Sequence, residues 1–433
     1  MWPIFLDDDR ASVARGRARA IAARLRCPDQ VADARARTQA AASQYEHWLP
    51  FTLSRGDAGI TLLHGWLDAC FPGEDWDRVA HAYLTSAAHD AGSMEQVPLG
   101  LLDGSAGLAF TACYLSRDGS RYQRLLASLE TALLPQMAAV AGVFERRTEG
   151  LHTSEFDVVS GLSGMAGYLL CRTDSEAAMA TLRSVVRAMI ALSREDDAGP
   201  LWRTPPGLLN ENLRDYYPSG SFNCGLAHGA PGLLAALALA HRGGIGIDEL
   251  PEAIRRVSEW LLGARVEDDW GITWPAAVAF NGGAAGPVYC RDTWCYGGPG
   301  VARALWLAGE ALGEDRYREV ALESMKGVLR RPMPRRGISS PTFCHGVAGL
   351  LQIAMRFAHD SGCRALFDGV VELYDQLESH YEPGTLFGYR NVEEGDLRTD
   401  HPGFLEGAPG VAAVLLAATS GVEPKWDRAF LLS

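Results

Sequence analysis

The chain has 433 residues, 47% of them hydrophobic, with 53 acidic against 40 basic side chains and a net charge of −13. That length holds two or three average domains or one large one, with ample apolar material for a core. The acidic balance supplies no basic field to displace counterions from phosphates, which argues against a nucleic-acid partner, and its main consequence is solubility.

Nine cysteines, at 27, 70, 113, 171, 224, 290, 295, 344 and 363, are odd in number and mostly scattered. No disulfide framework is expected, and the compartment is read as reducing, hence cytoplasmic. At the N-terminus, Asp7-Asp8-Asp9 comes too early for a secretory signal. The next segment, Arg10 to Arg26, alternates Arg with Ala and is expected to be a surface helix, with a basic anchor or docking helix as the second reading. No apolar run is expected to span a bilayer, so no transmembrane segment is predicted.

A Gly-x-x-Gly step followed by an apolar run then recurs seven times along the chain. The steps are Gly56-Gly59, Gly104-Gly107, Gly164-Gly167 (preceded by Gly161), Gly229-Gly232, Gly297-Gly300, Gly346-Gly349 and Gly407-Gly410, 48 to 68 residues apart. Such a period marks repeated supersecondary units. The runs after the glycines, such as Leu233 to Leu237 and Val411 to Ala418, are apolar all round and predict buried helices. Between them lie single-stripe helices, such as Leu182/Val185/Val186/Met189, expected to be half in water. Seven of each predict an all-α fold, an α/α toroid of about fourteen helices forming one domain over 1–433. The glycines are placed in loops before the inner helices, where they allow positive φ and close backbone approach. Stretches 143–160 and 197–222 are irregular and are read either as recognition loops or as solvated linkers.

The chemistry gathers just before the glycines. Cys295 lies in Trp294-Cys295-Tyr296-Gly297, and Cys344-His345-Gly346 follows one repeat later. Equivalent positions in adjacent repeats of a ring lie close together, so the motifs are expected to converge. Two thiolates and an imidazole suit Zn²⁺ with its fourth tetrahedral position open, as in catalytic rather than structural sites. Cys290 and Cys224 remain alternatives as a fourth ligand, or are small buried hydrophobes. His228, in Gly225-Leu226-Ala227-His228-Gly229, holds the same place in repeat four, and Asp157 and Arg291-Asp292 lie in equivalent loops. His64, His401, Asp57 and Asp103 are read as structural residues, the two aspartates as caps or turn formers.

These residues resemble the lanthionine synthetase C-like family over nearly the whole chain, from Ser54-Arg55-Gly56-Asp57-Ala58-Gly59 to the last Gly-x-Pro-Gly. The specific pieces are Arg291 to Gly297, Cys344-His345-Gly346, Gly225 to Gly229 and Asp157 to Gly164. The resemblance implies an α/α toroid with one catalytic zinc held by Cys295, Cys344 and His345. His228, Asp157, Arg291 and Tyr296 are the further active-site residues it implies. The implied reaction adds a peptide cysteine thiol to dehydroalanine or dehydrobutyrine in the same peptide, giving lanthionine or methyllanthionine rings. The implied partners are a dehydrated precursor peptide with a leader and a separate dehydratase, since the length suits a stand-alone cyclase. Association with a membrane-bound modification or export complex is part of the same expectation. Three other readings stay open: a relative that binds glutathione or adds it to dehydroamino acids, a prenyltransferase-like zinc subunit, and a non-catalytic scaffold.

Overall fold

A computed structural model describes residues 1–42, 48–280 and 291–433. The described residues contain sixteen α-helices and eight strands of two or three residues each. They divide into two compact units. The first comprises 1–97, 103–123 and 338–426; the second comprises 98–102, 124–337 and 427–433.

The same device opens seven of the helices. Asp57–Cys70, Ser105–Tyr114, Leu162–Leu169, Ala230–Arg242, Gly298–Leu312, Val347–Ser361 and Ala408–Ala417 all have glycine at the N-cap. The third helix corrects the sequence reading. Its cap is Gly161, so its step is Gly161–Gly164, and Gly167 lies a turn further inside. The reason for glycine is also narrower than expected. Among the caps only Gly297 has positive φ, at +88°, and the other six are extended. What excludes a side chain is the preceding loop, which folds back under its own helix. The second glycines Gly59, Gly164, Gly232, Gly300 and Gly410 each face the carbonyl of the residue six earlier. A Cβ on Gly300 would lie 2.7 Å from both Leu226 Cβ and the Trp294 carbonyl.

Backbone hydrogen bonds then tie neighbouring loops two residues before the cap, or three at Val158. In the second unit Leu102 N donates to Val159 O (3.0 Å), Val158 N to Ala227 O (3.0 Å) and Ala227 N to Cys295 O (3.4 Å). In the first, Cys344 N donates to Leu405 O (2.9 Å) and Leu405 N to Ser54 O (3.1 Å). Each unit thereby holds its loops in a common register, and buried backbone groups find partners.

In the first unit, the N-terminal helix Asp8–Leu25 packs against Ala408–Ala417 and serves as its outer partner. Trp2 Nε1 donates to Ala417 O (2.7 Å) and Phe5 N to Ala418 O (3.0 Å). Its alanines at 11, 14, 18 and 22 are buried. Its arginines bind within the unit: Arg10 to Asp375 (2.8 Å), Arg17 to Glu378 (2.8 Å), and Arg24 to the carbonyls of Thr385 and Leu386. The Arg/Ala alternation therefore encodes one buried small-residue face beside a pairing face. His64 is fully buried, bonded to the Ile60 carbonyl at 2.8 Å and facing that of Ala22 at 3.3 Å, and burial pushes its imidazole down to about 4. The structural reading of His64 stands.

In the second unit, Gln123–Phe144 (its first residue apart) revises the membrane expectation. By length and composition this helix of 22 residues is apolar enough to cross a bilayer. In the fold it is an outer helix that buries Leu126, Leu133, Leu134, Met137, Ala141 and Phe144. Its Glu130 accepts from Tyr168 Oη (2.9 Å) and pairs with Arg172 (2.7 Å), anchors suited to a packed helix. The stretches 143–160 and 197–222 are joined: Leu151 N donates to Arg203 O (3.0 Å), and Thr204 pairs with Ser221. Strand 221–223 continues antiparallel to 277–279.

Two measurements follow. Gly300→Ala should lower the stability of the protein by about 1–3 kcal/mol through overpacking, whereas Gly246→Ala, with nothing within 4 Å of the added carbon, should be near neutral. Urea-unfolding midpoints compare the two. Asp57 is buried rather than capping; its carboxylate accepts from Ser86 Oγ (2.9 Å), and burial raises it to about 6. A raised folded pKa means its contribution is full below about pH 4 and is lost as pH rises through about 6. Asp57→Asn should therefore gain on the wild type between pH 4 and pH 7, by on the order of 1–3 kcal/mol in thermal or urea melts.

Candidate active site

The loops before the seven helices place their side chains by register. The residue immediately before each cap is Arg55, Asp103, Ser160, His228, Tyr296, His345 or Glu406, and all seven are polar. The residue before that is Cys in two of them, Cys295 and Cys344. Five of the seven sequence-predicted site residues thus occupy two equivalent positions of the repeat.

In the second unit the structure brings Asp157, His228, Tyr296 and Cys295 into one loop cluster. Asp157 is 1% exposed. Its Oδ1 accepts from Ser160 N (2.7 Å) and Gly161 N (3.0 Å), closing the turn into the helix. Its Oδ2 lies 2.7 Å from His228 Nδ1. A carboxylate can only accept, so Nδ1 carries the proton and Nε2 is left as the basic nitrogen. The His228 side chain is 39% exposed. The Tyr296 ring lies 6.3 Å from the His228 ring, and its hydroxyl accepts from Asn223 Nδ2 (3.1 Å). Asn223 Oδ1 in turn accepts from Gly225 N (2.8 Å), so one side chain fixes both the tyrosine and the His228 loop.

Cys295 is buried, with Thr293 Oγ1 3.4 Å from its sulfur. Trp294 is fully buried and donates from Nε1 to Phe430 O (3.1 Å), which pins the motif to the core. Arg291 is half-buried, and its carbonyl accepts from Thr293 N (3.0 Å) beneath Gly297. Asp292 is a structural anchor: its carboxylate pairs with buried Arg331, which also holds Asp268, and its N donates to Arg336 O (2.9 Å). Cys224 is fully buried, its thiol 3.7 Å from the Phe222 carbonyl, as a small buried residue would be. Cys290 lies outside the described residues.

Cys344 and His345 belong to the first unit. Cys344 is half-buried and hangs from the Leu405 carbonyl. His345 is 8% exposed, and among the described residues its Nε2 is buried without a hydrogen-bond partner. Beside it, Arg55 grips Glu406 through two bonds of 2.7 Å. Burial opposes ionisation of Glu406, but the Arg55 charge and hydrogen bonds outweigh it and hold the carboxyl below its ordinary range. His401 accepts from Gly403 N at Nδ1 (2.9 Å), a turn-forming role.

Two thiols and an imidazole form the donor chemistry that zinc takes. Among the described residues, no three or more His, Cys, Asp or Glu side chains are gathered closely enough to hold a metal ion. The donor types fit zinc. Reasoning from sequence missed Asn223, Thr293, Arg55 and Glu406. The last two share the register of His228 and His345, and that offset was the signal available for them.

A model of the lanthionine synthetase C-like protein family matches residues 47–431. The nisin biosynthesis protein NisC of Lactococcus lactis subsp. lactis is 25% identical over 390 residues, covering 88% of each chain. A solved structure of nisin cyclase superposes with a TM-score of 0.78 at 23% identity, over 91% of this chain and 95% of that one. The structural likeness is one of fold, and it sets the chain in the all-α, α/α toroid class that the glycine steps predict.

Asp157 should set the tautomer of His228. With the imidazole neutral, ¹⁵N spectra of the wild type should show a protonated Nδ1. In Asp157→Asn the new amide presents a donor, and the proton should move to Nε2. An unchanged pattern in the variant would show that another group orients the ring.

Proposed function

The chain belongs to the lanthionine synthetase C-like protein family, and on that premise we propose that it is a zinc-dependent lanthipeptide cyclase. The observation that carries this reading is the Asp157–His228 pair. A buried carboxylate aims a half-exposed imidazole, on the loop position that holds His345 in another repeat.

Cys295, Cys344 and His345 are the residues assigned to hold one zinc ion. Bound there, zinc would supply a Lewis acid that keeps a peptide thiol deprotonated near neutral pH. Both cysteines lie two residues before a helix N-cap, where the helix dipole favours anionic sulfur.

The remaining work falls to the protein's own side chains. His228 Nε2 takes the proton of the peptide thiol. As sulfur bonds to the β-carbon of dehydroalanine or dehydrobutyrine, the alkene electron pair moves toward the carbonyl oxygen. Arg291 is assigned that developing oxyanion, where a preorganised cation stabilises charge. His228 then returns the proton to the α-carbon, so the addition is balanced and needs no oxidant or reductant. Asp157 holds the neutral imidazole in the reactive tautomer and stays paired with Nδ1–H when the ring is protonated. Tyr296, fixed by Asn223, walls its ring.

The substrate of this reading is a precursor peptide already dehydrated at serine or threonine, which a separate dehydratase must supply. A free-thiol substrate requires a reducing compartment, and the cytoplasm is the proposed location.

The test measures metal and chemistry together. Wild type and Cys295→Ala are purified, their zinc is quantified, and each receives a dehydrated peptide with one cysteine. Alkylation and mass spectrometry follow the free thiol. The expected result is one zinc per wild-type chain with thiol loss only in the wild type. Folded wild type without zinc would overturn the metal assignment, and zinc without thiol loss would overturn cyclisation.

A further inference from the structure

The roles above leave unused a buried polar cluster in the first unit, beneath the loop that carries His345. Ser340 and Thr342 are fully buried and Asn391 is 3% exposed. Ser340 Oγ lies 3.0 Å from Thr342 Oγ1 and donates to Asn391 Oδ1 (3.1 Å). Val392 N donates to the same serine oxygen (3.3 Å). Asn391 Oδ1 is therefore committed as an acceptor, and its amide nitrogen is turned the other way. There it donates to Glu393 Oε1 (2.8 Å). Strand 391–393, paired antiparallel with 397–399, holds the backbone beneath both side chains.

This arrangement aims a single carboxylate. Glu393 Oε1 lies 3.7 Å from His345 Nε2, the buried nitrogen that has no hydrogen-bond partner among the described residues. Burying several polar groups is costly unless each is satisfied, and a satisfied network fixes its members in one arrangement. A metal-bound imidazole commonly donates its other N–H to a carboxylate, which sets the ring orientation and raises ligand basicity.

We propose that Glu393 is the positioning residue of His345: its carboxylate is the acceptor for Nε2–H, and Nδ1 is the nitrogen that would hold zinc. Ser340, Thr342 and Asn391 act through it by fixing the carboxylate. The inference rests on the zinc assignment above and goes beyond it, since it decides which imidazole nitrogen ligates.

The test is metal affinity and coordination, read without turnover. Zinc binding is measured by competition with a chromogenic chelator in wild type, Glu393→Ala, Glu393→Gln and His345→Ala. The visible spectrum of the cobalt-loaded form reports ligand number. Glu393→Ala should weaken zinc by roughly ten- to a hundredfold. Glu393→Gln, which keeps an acceptor oxygen, should recover much of that loss. Both should keep the wild-type cobalt spectrum at saturation, unlike His345→Ala. If Glu393→Ala fails to fold, the Gln variant compared with wild type carries the test, with a smaller loss expected. Affinity within twofold of wild type in every folded Glu393 variant would overturn the proposal. So would a changed cobalt coordination, which would make Glu393 a ligand. Wild type that binds zinc normally but cyclises nothing overturns the cyclase reading and leaves this inference standing. Wild type that binds no zinc overturns both.

Discussion

The structure depends on a close approach of backbone to backbone. Before these helices the chain doubles back, and at Gly59, Gly164, Gly232, Gly300 and Gly410 the carbonyl six residues earlier fills the place a Cβ would take. Only glycine fits, because a Cβ there would overlap the carbonyl or a packed side chain. The tight loop brings the residue two before the cap within hydrogen-bond reach of the neighbouring loop in the same unit. Five of the seven residues singled out in the sequence hang from that register. It leaves the residue before the cap partly exposed in six of the seven loops, with His345 buried, and cysteine stands at equivalent positions in two successive repeats.

The same geometry explains why acidic and imidazole groups can be kept at these loops. Asp157 is buried, but three hydrogen bonds compensate it: two from its own turn and one from His228. Glu406 is held ionised by Arg55 against the cost of burial. Each is a solution to the same problem, a carboxylate taken out of water and repaid by fixed donors. The consequence is preorganisation: the rings of His228 and Tyr296 are held by Asp157 and Asn223, whose own orientations are set by backbone amides.

Much of this was legible in the sequence. The apolar runs after Gly229, Gly346 and Gly407 are helices buried along most of their length. The offset shared by His228 and His345 pointed to equivalent loop positions, and the helix caps bear that out. Other features were read less well because local pattern underdetermines them. Glycines 161, 164 and 167 offer two overlapping steps, and only packing decides that Gly161 is the cap. The arginines of 10–26 look like a solvated basic face until their carboxylate partners, over 350 residues away, are seen. Asp57 has the residue type of a cap but lies inside the first turn, buried against Ser86.

By itself the sequence determined six of the seven glycine-capped helix starts, the buried character of those helices and the candidate residues for chemistry. These rest on short-range physics: glycine tolerance of close approach, apolar periodicity, and thiol and imidazole donors at fixed offsets from a helix cap. Only the tertiary structure decided that Asp8–Leu25 is the partner of Ala408–Ala417, that Asp157 meets His228 Nδ1, and that Glu393 faces His345. Those contacts join residues 48 to some 400 positions apart. Which distant partner wins there is settled by burial and hydrogen-bond satisfaction across the whole core, and no local pattern records it.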